Sequence, residues 1–168
     1  MPNQEFLDCL TEVYIGEQVG EVAFEALLGK AETPEQIYIM GSLLQLETEG
    51  KALIRPLLSR LGLSMMDSPQ GRENGLAASQ SMGGLPWKER FGAMRDIVTE
   101  NFLPRYVELG TLVSEKEDPA AAKLAKFMGD HERALVATAE NIVQGREDPA
   151  APVVALLHFP LTYAGDAK

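Results

Sequence analysis

An apolar repeat with the period of an α-helix is the feature that most constrains how this chain can fold. In this repeat, apolar residues recur at steps of three and four, so that they share one face of a helix. The repeat marks four segments: residues 4–30, 34–61, 86–117 and 119–144. No segment shows the alternation of apolar and polar residues that marks a half-buried strand. The sequence therefore predicts an all-α protein.

Prolines, glycines and capping residues indicate where these helices begin and end. Thr33 and Asp118 each precede a proline, which is the order typical of a helix N-terminus. Gly62 and Gly145 follow the last apolar positions of two segments, where glycine commonly ends a helix. Pro104 lies inside the third segment and predicts a kink there, because proline cannot complete the helical hydrogen bonds.

The lengths of the connections predict the topology. Short turns near residues 31–33 and at Asp118 make two antiparallel hairpins. Residues 62–85 are rich in Ser, Gly, Met and Asn, so we expect an irregular bridge that joins the hairpins. The tail, residues 146–168, is expected to hold one short helix over residues 153–157. The whole chain of 168 residues is thus predicted to be a single antiparallel four-helix bundle with a crossover between its second and third helices.

The charge balance argues against several classes of partner. The chain has 15 basic and 25 acidic residues and a net charge of −10. A chain this acidic has no electrostatic reason to bind nucleic acid or an anionic membrane, whereas it attracts cations. Cys9 is the only cysteine, which excludes a disulfide within one chain and multi-cysteine metal sites. No glycine-rich phosphate loop is present, so no nucleotide cofactor is expected.

The N-terminal residues give no sign of export. Residues 1–6 lack the basic start and the apolar core of a secretory signal. No apolar run reaches the ~18 residues that are needed to cross a bilayer. We therefore expect a cytoplasmic protein.

Polar residues interrupt the apolar stripes at a few positions. Glu17 and Glu21 lie on the stripe of the first helix, and Glu47 lies on that of the second. If the first turn centres on Glu32, then Glu17 and Glu47 are equally far from it in sequence and should face each other. Facing carboxylates inside a bundle are costly unless a proton, a basic side chain or a metal ion neutralises them.

The last helix carries His131 on its apolar stripe, one of two histidines in the chain. A second turn centred on Asp118 would place Arg105 opposite His131. Glu108 lies one turn from there and Glu100 lies further out, so the third helix offers two alternative carboxylates. Because histidines are so few, any metal site in this chain must consist mainly of carboxylates.

Three stretches resemble the ferritin-like superfamily of four-helix bundles. They are residues 16–21, 46–49 and 129–135, which carry glutamates on the first two helices and a His-Glu pair on the last. Dinuclear iron or manganese sites in that superfamily take a glutamate from each of two helices and a Glu-x-x-His from each of the other two. The resemblance implies an iron or manganese site, with these candidate ligands: Glu17, Glu21, Glu47, Glu108 and His131.

Two positions depart from that ligand pattern. Gly50 stands where the pattern has the histidine after Glu47, and Met128 stands where it has the glutamate before His131. The remaining ligands would hold one metal ion, or a weakened pair that water or Glu132 completes.

Two functions fit these features. The first is a ferritin-like metal protein, either an oxidoreductase or a metal-handling protein; as an enzyme it would be a dinuclear-metal oxidoreductase. The second is a metal-free bundle with a binding or structural role, in which Arg105, Lys51 or Arg55 neutralises the carboxylates. The neighbouring Glu49 and, outside a metal site, Glu132 are expected on the solvated face of a helix.

An apolar face is also expected to join two copies of the chain. Helical bundles of this size often pair through such a face, and most soluble oligomers are twofold dimers. The candidate residues are Trp87, Phe91 and residues 153–159. We therefore predict a homodimer.

Overall fold

The computed structural model describes residues 3–163, and all of its regular structure is helical. The helices are α1 (Gln4–Leu28), α2 (Pro34–Leu61), α3 (Pro69–Gly83), α4 (Trp87–Asn101), α5 (Leu103–Leu109), α6 (Pro119–Gln144) and α7 (Ala151–Val154). No strand occurs among the described residues. The prediction of an all-α protein is therefore confirmed. None of the described helices is long and apolar enough to span a membrane.

The ends of α2 and α6 show the capping that the sequence predicts. The side chain of Thr33 accepts a hydrogen bond from the backbone N–H of Gln36 at the start of α2. Asp118 caps α6 in the same way, through the backbone N–H of Ala121. Gly62 ends α2 with φ of 70° and Gly145 ends α6 with φ of 69°, a left-handed conformation that glycine adopts without strain.

The predicted irregular bridge over residues 62–85 is wrong, because α3 occupies most of it. Ser68 caps this helix, and the proline after it stands in the first turn. The buried face of α3 consists of Gly71, Gly75 and Ser79, together with one methionine. Such small residues carry no apolar period, yet they let the backbone approach α1 closely. A Cβ added to Gly75 would lie 2.7 Å from the carbonyl oxygen of Val19.

The predicted third helix over residues 86–117 is two helices, α4 and α5, and α5 ends at Leu109. The break lies at Phe102, which has φ of −113° and ψ of −55°. Its φ departs from the helical value of about −63°. Pro104 follows in the first turn of α5, where its missing N–H costs nothing. The proline therefore starts a new helix rather than kinking a continuous one.

The C-terminal tail has a short helix two residues earlier than predicted, at α7. Beyond it, the backbone N–H groups of His158 and Phe159 donate to the carboxylate of Glu49, over 2.7 and 2.9 Å. Glu49 is only 7% exposed, so its predicted place on a solvated helix face is wrong. The rest of the predicted tail, residues 164–168, lies outside the described residues, as do residues 1–2.

Contacts between named residues give the directions of the helices. Tyr14 pairs with Arg55, and Glu21 with Thr48, so α1 and α2 are antiparallel. Helices α4 and α6 are antiparallel too, since Gly92 of α4 lies beside Val143, whereas Arg95, further along α4, pairs with Glu140, earlier in α6.

Helix α3 runs in the same direction as α1 and covers one side of it. Gly71, near the start of α3, lies beside Gln18, and Gly83 at its end lies beside Lys30. The connection from the end of α2 to the start of α4 is therefore a helix that lies beside α1.

The apolar face that was predicted to join two copies is used largely within the chain. Phe91 is 1% exposed, and its ring packs edge-on against that of Trp87 with centroids 4.6 Å apart. Val153 is also buried in the same core cluster. The homodimer stays a prediction.

Candidate metal centre

A layer of polar side chains separates two hydrophobic clusters in the interior. On α1 one cluster ends at Tyr14 and the other begins at Phe24. On α6 the corresponding limits are Met128 and Ala134. Four buried titratable residues between these limits make up the layer: Glu17 on α1, Glu47 on α2, and His131 with Glu132 on α6. Each of these four is at most 3% exposed.

His131 lies at the centre of this layer, between two carboxylates. Its Nε2 is 3.2 Å from Oε2 of Glu17, and its Nδ1 is 3.4 Å from Oε2 of Glu132. One potential ligand atom from each of the three side chains lies within 4.8 Å of those from the other two. The predicted solvated position of Glu132 is therefore wrong: it lies beside His131 and is only 3% exposed.

Tyr106 on α5 holds Glu17 from the opposite side. Its hydroxyl donates a hydrogen bond to Oε1 of Glu17 over 2.7 Å. Tyr106 is not among the ligands that the sequence predicts, although it lies four positions after Phe102 on the same apolar stripe. The expected neighbour of His131 was Arg105, which the helix directs elsewhere. The helical period was the signal that could have found Tyr106.

Glu47 is buried without any hydrogen-bond partner among residues 3–163. Burial raises the pKa of Glu47 well above its usual value, and the nearby carboxylates of Glu17 and Glu132 raise it further. The carboxylate of Glu47 lies against Gly20 of α1, and that of Glu17 lies against Gly50 of α2, so both lie between the two arms of the first hairpin.

Three glycines make room for these side chains. A Cβ added to Gly50 would overlap the carboxylate of Glu17, and one added to Gly20 would overlap that of Glu47. A Cβ at Gly16 would meet the hydroxyl of Tyr106. The glycines thus allow carboxylates to lie at the helix interfaces, where an alanine would exclude them.

The pKa shifts in the layer show how burial and neighbouring charges compete. Burial raises the pKa of Glu17 to about 7, although His131 and the hydrogen bond from Tyr106 lower it. Burial by itself would lower the pKa of His131, but Glu17 and Glu132 outweigh it, so that pKa is raised. Burial therefore favours the neutral form of Glu17, whereas the two carboxylates beside His131 favour its charged form.

Glu21, a predicted ligand, lies outside the layer. Its carboxylate accepts hydrogen bonds from Lys51 at 2.6 Å and from Thr48 at 2.8 Å. Lys51 also contacts Asp67, at 3.2 Å. Lys51 therefore pairs with Glu21, and among the described residues it forms no ion pair with Glu17 or Glu47.

Glu108, the predicted ligand from the third helix, also lies outside the layer. It pairs with Arg105 at 2.6 Å, and its side chain is 41% exposed. Arg105 contacts Glu12 as well. The alternative carboxylate, Glu100, is exposed on α4.

The basic residues that could have neutralised the buried carboxylates are thus engaged elsewhere. Arg55, the third of them, donates to the hydroxyl of Tyr14. Several polar atoms remain without a hydrogen bond inside the described structure: Oε2 of Glu17 and both ring nitrogens of His131. Nε2 of His131 lies at ion-pair distance from Oε2 of Glu17, but the angles between them are not those of a hydrogen bond.

This set of donors suits a transition-metal ion. Imidazole and carboxylate together are typical ligands of iron and manganese, whereas zinc and copper sites commonly add thiolate or further imidazoles. No family model matches this chain, and the comparisons with curated proteins and with solved structures found no match either. The arrangement of its own residues therefore has to carry the functional argument.

Proposed function

We propose that this protein binds one iron or manganese ion through Glu17, His131 and Glu132, with Glu47 as a further carboxylate. The observation that carries the proposal is a set of three buried atoms without a hydrogen bond, Oε2 of Glu17 and the two ring nitrogens of His131, with no lysine or arginine among the described residues acting on Glu17 or Glu47. Buried carboxylates without such compensation are costly. A divalent cation would neutralise them and take an oxygen of Glu17 and one ring nitrogen of His131 as ligands.

The resemblance to ferritin-like bundles is part of the proposal. In that arrangement α1, α2, the α4–α5 segment and α6 are the four helices, and α3 is the crossover. Two features support it: α1–α2 and α4–α6 are antiparallel pairs, and α3 returns along α1 between them.

We propose one ion rather than the dinuclear centre of that superfamily. Gly50 stands in place of one histidine, and the carboxylate of Glu17 lies over it. Met128 stands in place of one glutamate and belongs to the apolar cluster below the layer. On the third helix, the residue that reaches the layer is Tyr106, whose hydroxyl donates a hydrogen bond to Glu17. The chain therefore offers the ligands of about one site.

With one such ion bound, the protein would act in metal handling or in metal-dependent oxidoreduction. A bound iron or manganese ion would supply redox or Lewis-acid chemistry. The residues of the chain exclude water by burial, and Tyr106 orients Glu17 through its hydrogen bond. Glu21 and Glu108 are paired with Lys51 and Arg105, so neither is free to bind the ion.

The two histidines provide a matched test. His131 is fully buried in the layer, whereas the side chain of His158 is 56% exposed and contacts Glu49. We expect purified protein to bind one manganese or iron ion per chain in a calorimetric titration. His131→Gln should weaken the affinity on the order of 100-fold or more, and His158→Gln should not change it. Equal affinities in all three proteins would refute the site.

A metal-free bundle remains the second candidate, and one observation favours it. The 3.2 Å between Nε2 of His131 and Oε2 of Glu17 is an ion-pair distance, so a protonated His131 would neutralise Glu17 without metal. In that case the layer would set the register of the helices, and function would depend on a partner. Protein that retains no metal and shows no change in Tm with added manganese or iron would support this candidate.

A further inference from the structure

An apolar cavity adjoins the polar layer. It has a volume of about 50 Å³ and lies between α1, α3 and α4. Most of the side chains around it are apolar, among them Val19, Phe24, Met82, Met94, Val98 and Leu135. The cavity is distinct from the apolar cluster around Leu10 and Leu109, on the other side of the layer.

The polar end of the cavity is formed by residues of the proposed metal centre. Glu47 and Glu132 line it, as does Tyr106. The hydroxyl of Tyr106 is already engaged with Glu17. An occupant of the cavity would therefore touch apolar walls on most sides and lie next to carboxylates at one end.

The space depends on small residues at the surrounding helices. Gly16 and Gly20 line it from α1, and Ala78 lines it from α3. Glycines in the middle of a helix cost roughly 1 kcal/mol each relative to alanine, so their presence needs a reason in packing. Here Gly20 leaves room for the carboxylate of Glu47 and Gly16 leaves room for the hydroxyl of Tyr106, and both of those residues line the cavity.

We propose that this cavity binds a small, uncharged apolar molecule beside the metal ion. The volume admits about three or four non-hydrogen atoms, since one water-sized group needs roughly 10–15 Å³. A charged molecule is disfavoured because most of the wall cannot hydrogen-bond it. The position of the ligand next to a metal rests on the proposed function; the binding of the ligand to the cavity does not require the metal.

Methionine methyl groups report on the cavity directly. Met82 and Met94 line it, whereas Met40 and Met128 are fully buried elsewhere. The experiment is a xenon titration of metal-free protein labelled with ¹³C at the methionine methyl groups, followed by NMR. We expect saturable shifts at Met82 and Met94 that exceed those at Met40 and Met128. Absent shifts, or equal shifts at all four, would overturn the proposal.

Two neighbouring alanines on α3 provide the matched variants. Ala78 lines the cavity, and Ala77 is exposed on the same helix. Ala78→Leu should fill the cavity and abolish the xenon-induced shifts, whereas Ala77→Leu should preserve them. Persistent shifts in a folded Ala78→Leu protein would overturn the assignment to this cavity.

A manganese titration of the same protein separates this inference from the proposed function. Manganese binding without xenon shifts would overturn the cavity proposal and leave the metal site. Xenon shifts in a protein that binds neither manganese nor iron would overturn the proposed function, and with it the placement of the ligand beside a metal.

Discussion

The carboxylate of Glu17 fills the space into which any side chain at position 50 would project. A Cβ added to Gly50 would overlap Oε2 of Glu17 and lie 3.3 Å from Nε2 of His131. Glu17 is fully buried, and its other oxygen accepts the hydrogen bond from Tyr106. The carboxylate therefore cannot turn to solvent without losing its contacts. Gly50, which stands in place of a histidine in the ferritin-like pattern, makes room for a carboxylate.

This relationship predicts that Gly50→Ala destabilises the protein. Alanine favours a helix interior by roughly 1 kcal/mol over glycine. Here the displaced carboxylate should outweigh that gain, because overpacking a dense interior costs roughly 1–3 kcal/mol. Urea unfolding of metal-free protein measures the net change in the free energy of unfolding, which we expect to be a loss.

A double variant serves as the control for that prediction. Once Glu17→Ala removes the carboxylate, adding Gly50→Ala should cost nothing or even stabilise the protein. The two changes are therefore expected to be strongly non-additive, as for residues in direct contact. Additive effects of the two changes would contradict the contact between Glu17 and position 50.

The stability of the metal-free protein is expected to fall as the pH rises from about 5 to 8. Burial raises the pKa of Glu17 from 4.5 to about 7, so the folded state binds a proton that the unfolded state has released. The stabilisation is complete below the unfolded pKa and is lost as the pH rises through the folded one. For Glu17 this loss is on the order of 3 kcal/mol. Urea unfolding in EDTA across this range measures it.

Glu17→Gln should remove this part of the pH dependence, because glutamine does not titrate. Metal affinity should change in the opposite direction in the wild type, rising with pH, since carboxylate and imidazole ligands must be deprotonated. A metal-free stability that rises steadily between pH 5 and 8 would contradict the buried, protonated state of Glu17.

Two glutamates on the first hairpin should respond oppositely to substitution by glutamine. Glu47 is buried and has no hydrogen-bond partner among the described residues. Glu47→Gln should therefore leave the stability in EDTA unchanged or raise it. The same change should weaken manganese binding. Glu21 pairs with Lys51, whose side chain is 6% exposed. Glu21→Gln should therefore cost roughly 2 kcal/mol and leave manganese affinity unchanged. Thermal melts with EDTA and with manganese distinguish the two variants, and a large loss in metal-free Glu47→Gln would show an undetected cationic partner.

Close packing of α3 on α1 predicts that Gly75→Ala destabilises this pair of helices. The added Cβ would lie 2.7 Å from the carbonyl oxygen of Val19 and 2.8 Å from Cβ of Val22, and backbone cannot move aside cheaply. We expect a loss of roughly 1–3 kcal/mol, with faster hydrogen exchange over residues 69–83. Gly92→Ala is the matched control, because its nearest neighbour would be Val143 at 3.9 Å. That change should stabilise the protein by up to about 1 kcal/mol.

Local signals in the sequence were sufficient for most of the helices and for part of the site. Helix periodicity and capping predict α2 and α6 well, because a buried apolar stripe and a cap act over a few residues. The same stripes identified Glu17, Glu47 and His131 as inward-facing polar residues, and all three are buried. The net negative charge likewise depends on composition alone.

Only the tertiary structure decided which polar groups meet. Glu21 lies one turn from Glu17 on the same helix, yet Lys51 engages it, whereas Glu132 is drawn into the layer beside His131. Residues near the edge of a helix face can turn toward either neighbour, so the packing of several helices determines their partners. Helix α3 escaped detection for a related reason. Its buried face is made of glycine and serine, and close approach of two backbones stabilises it where apolar side chains are absent.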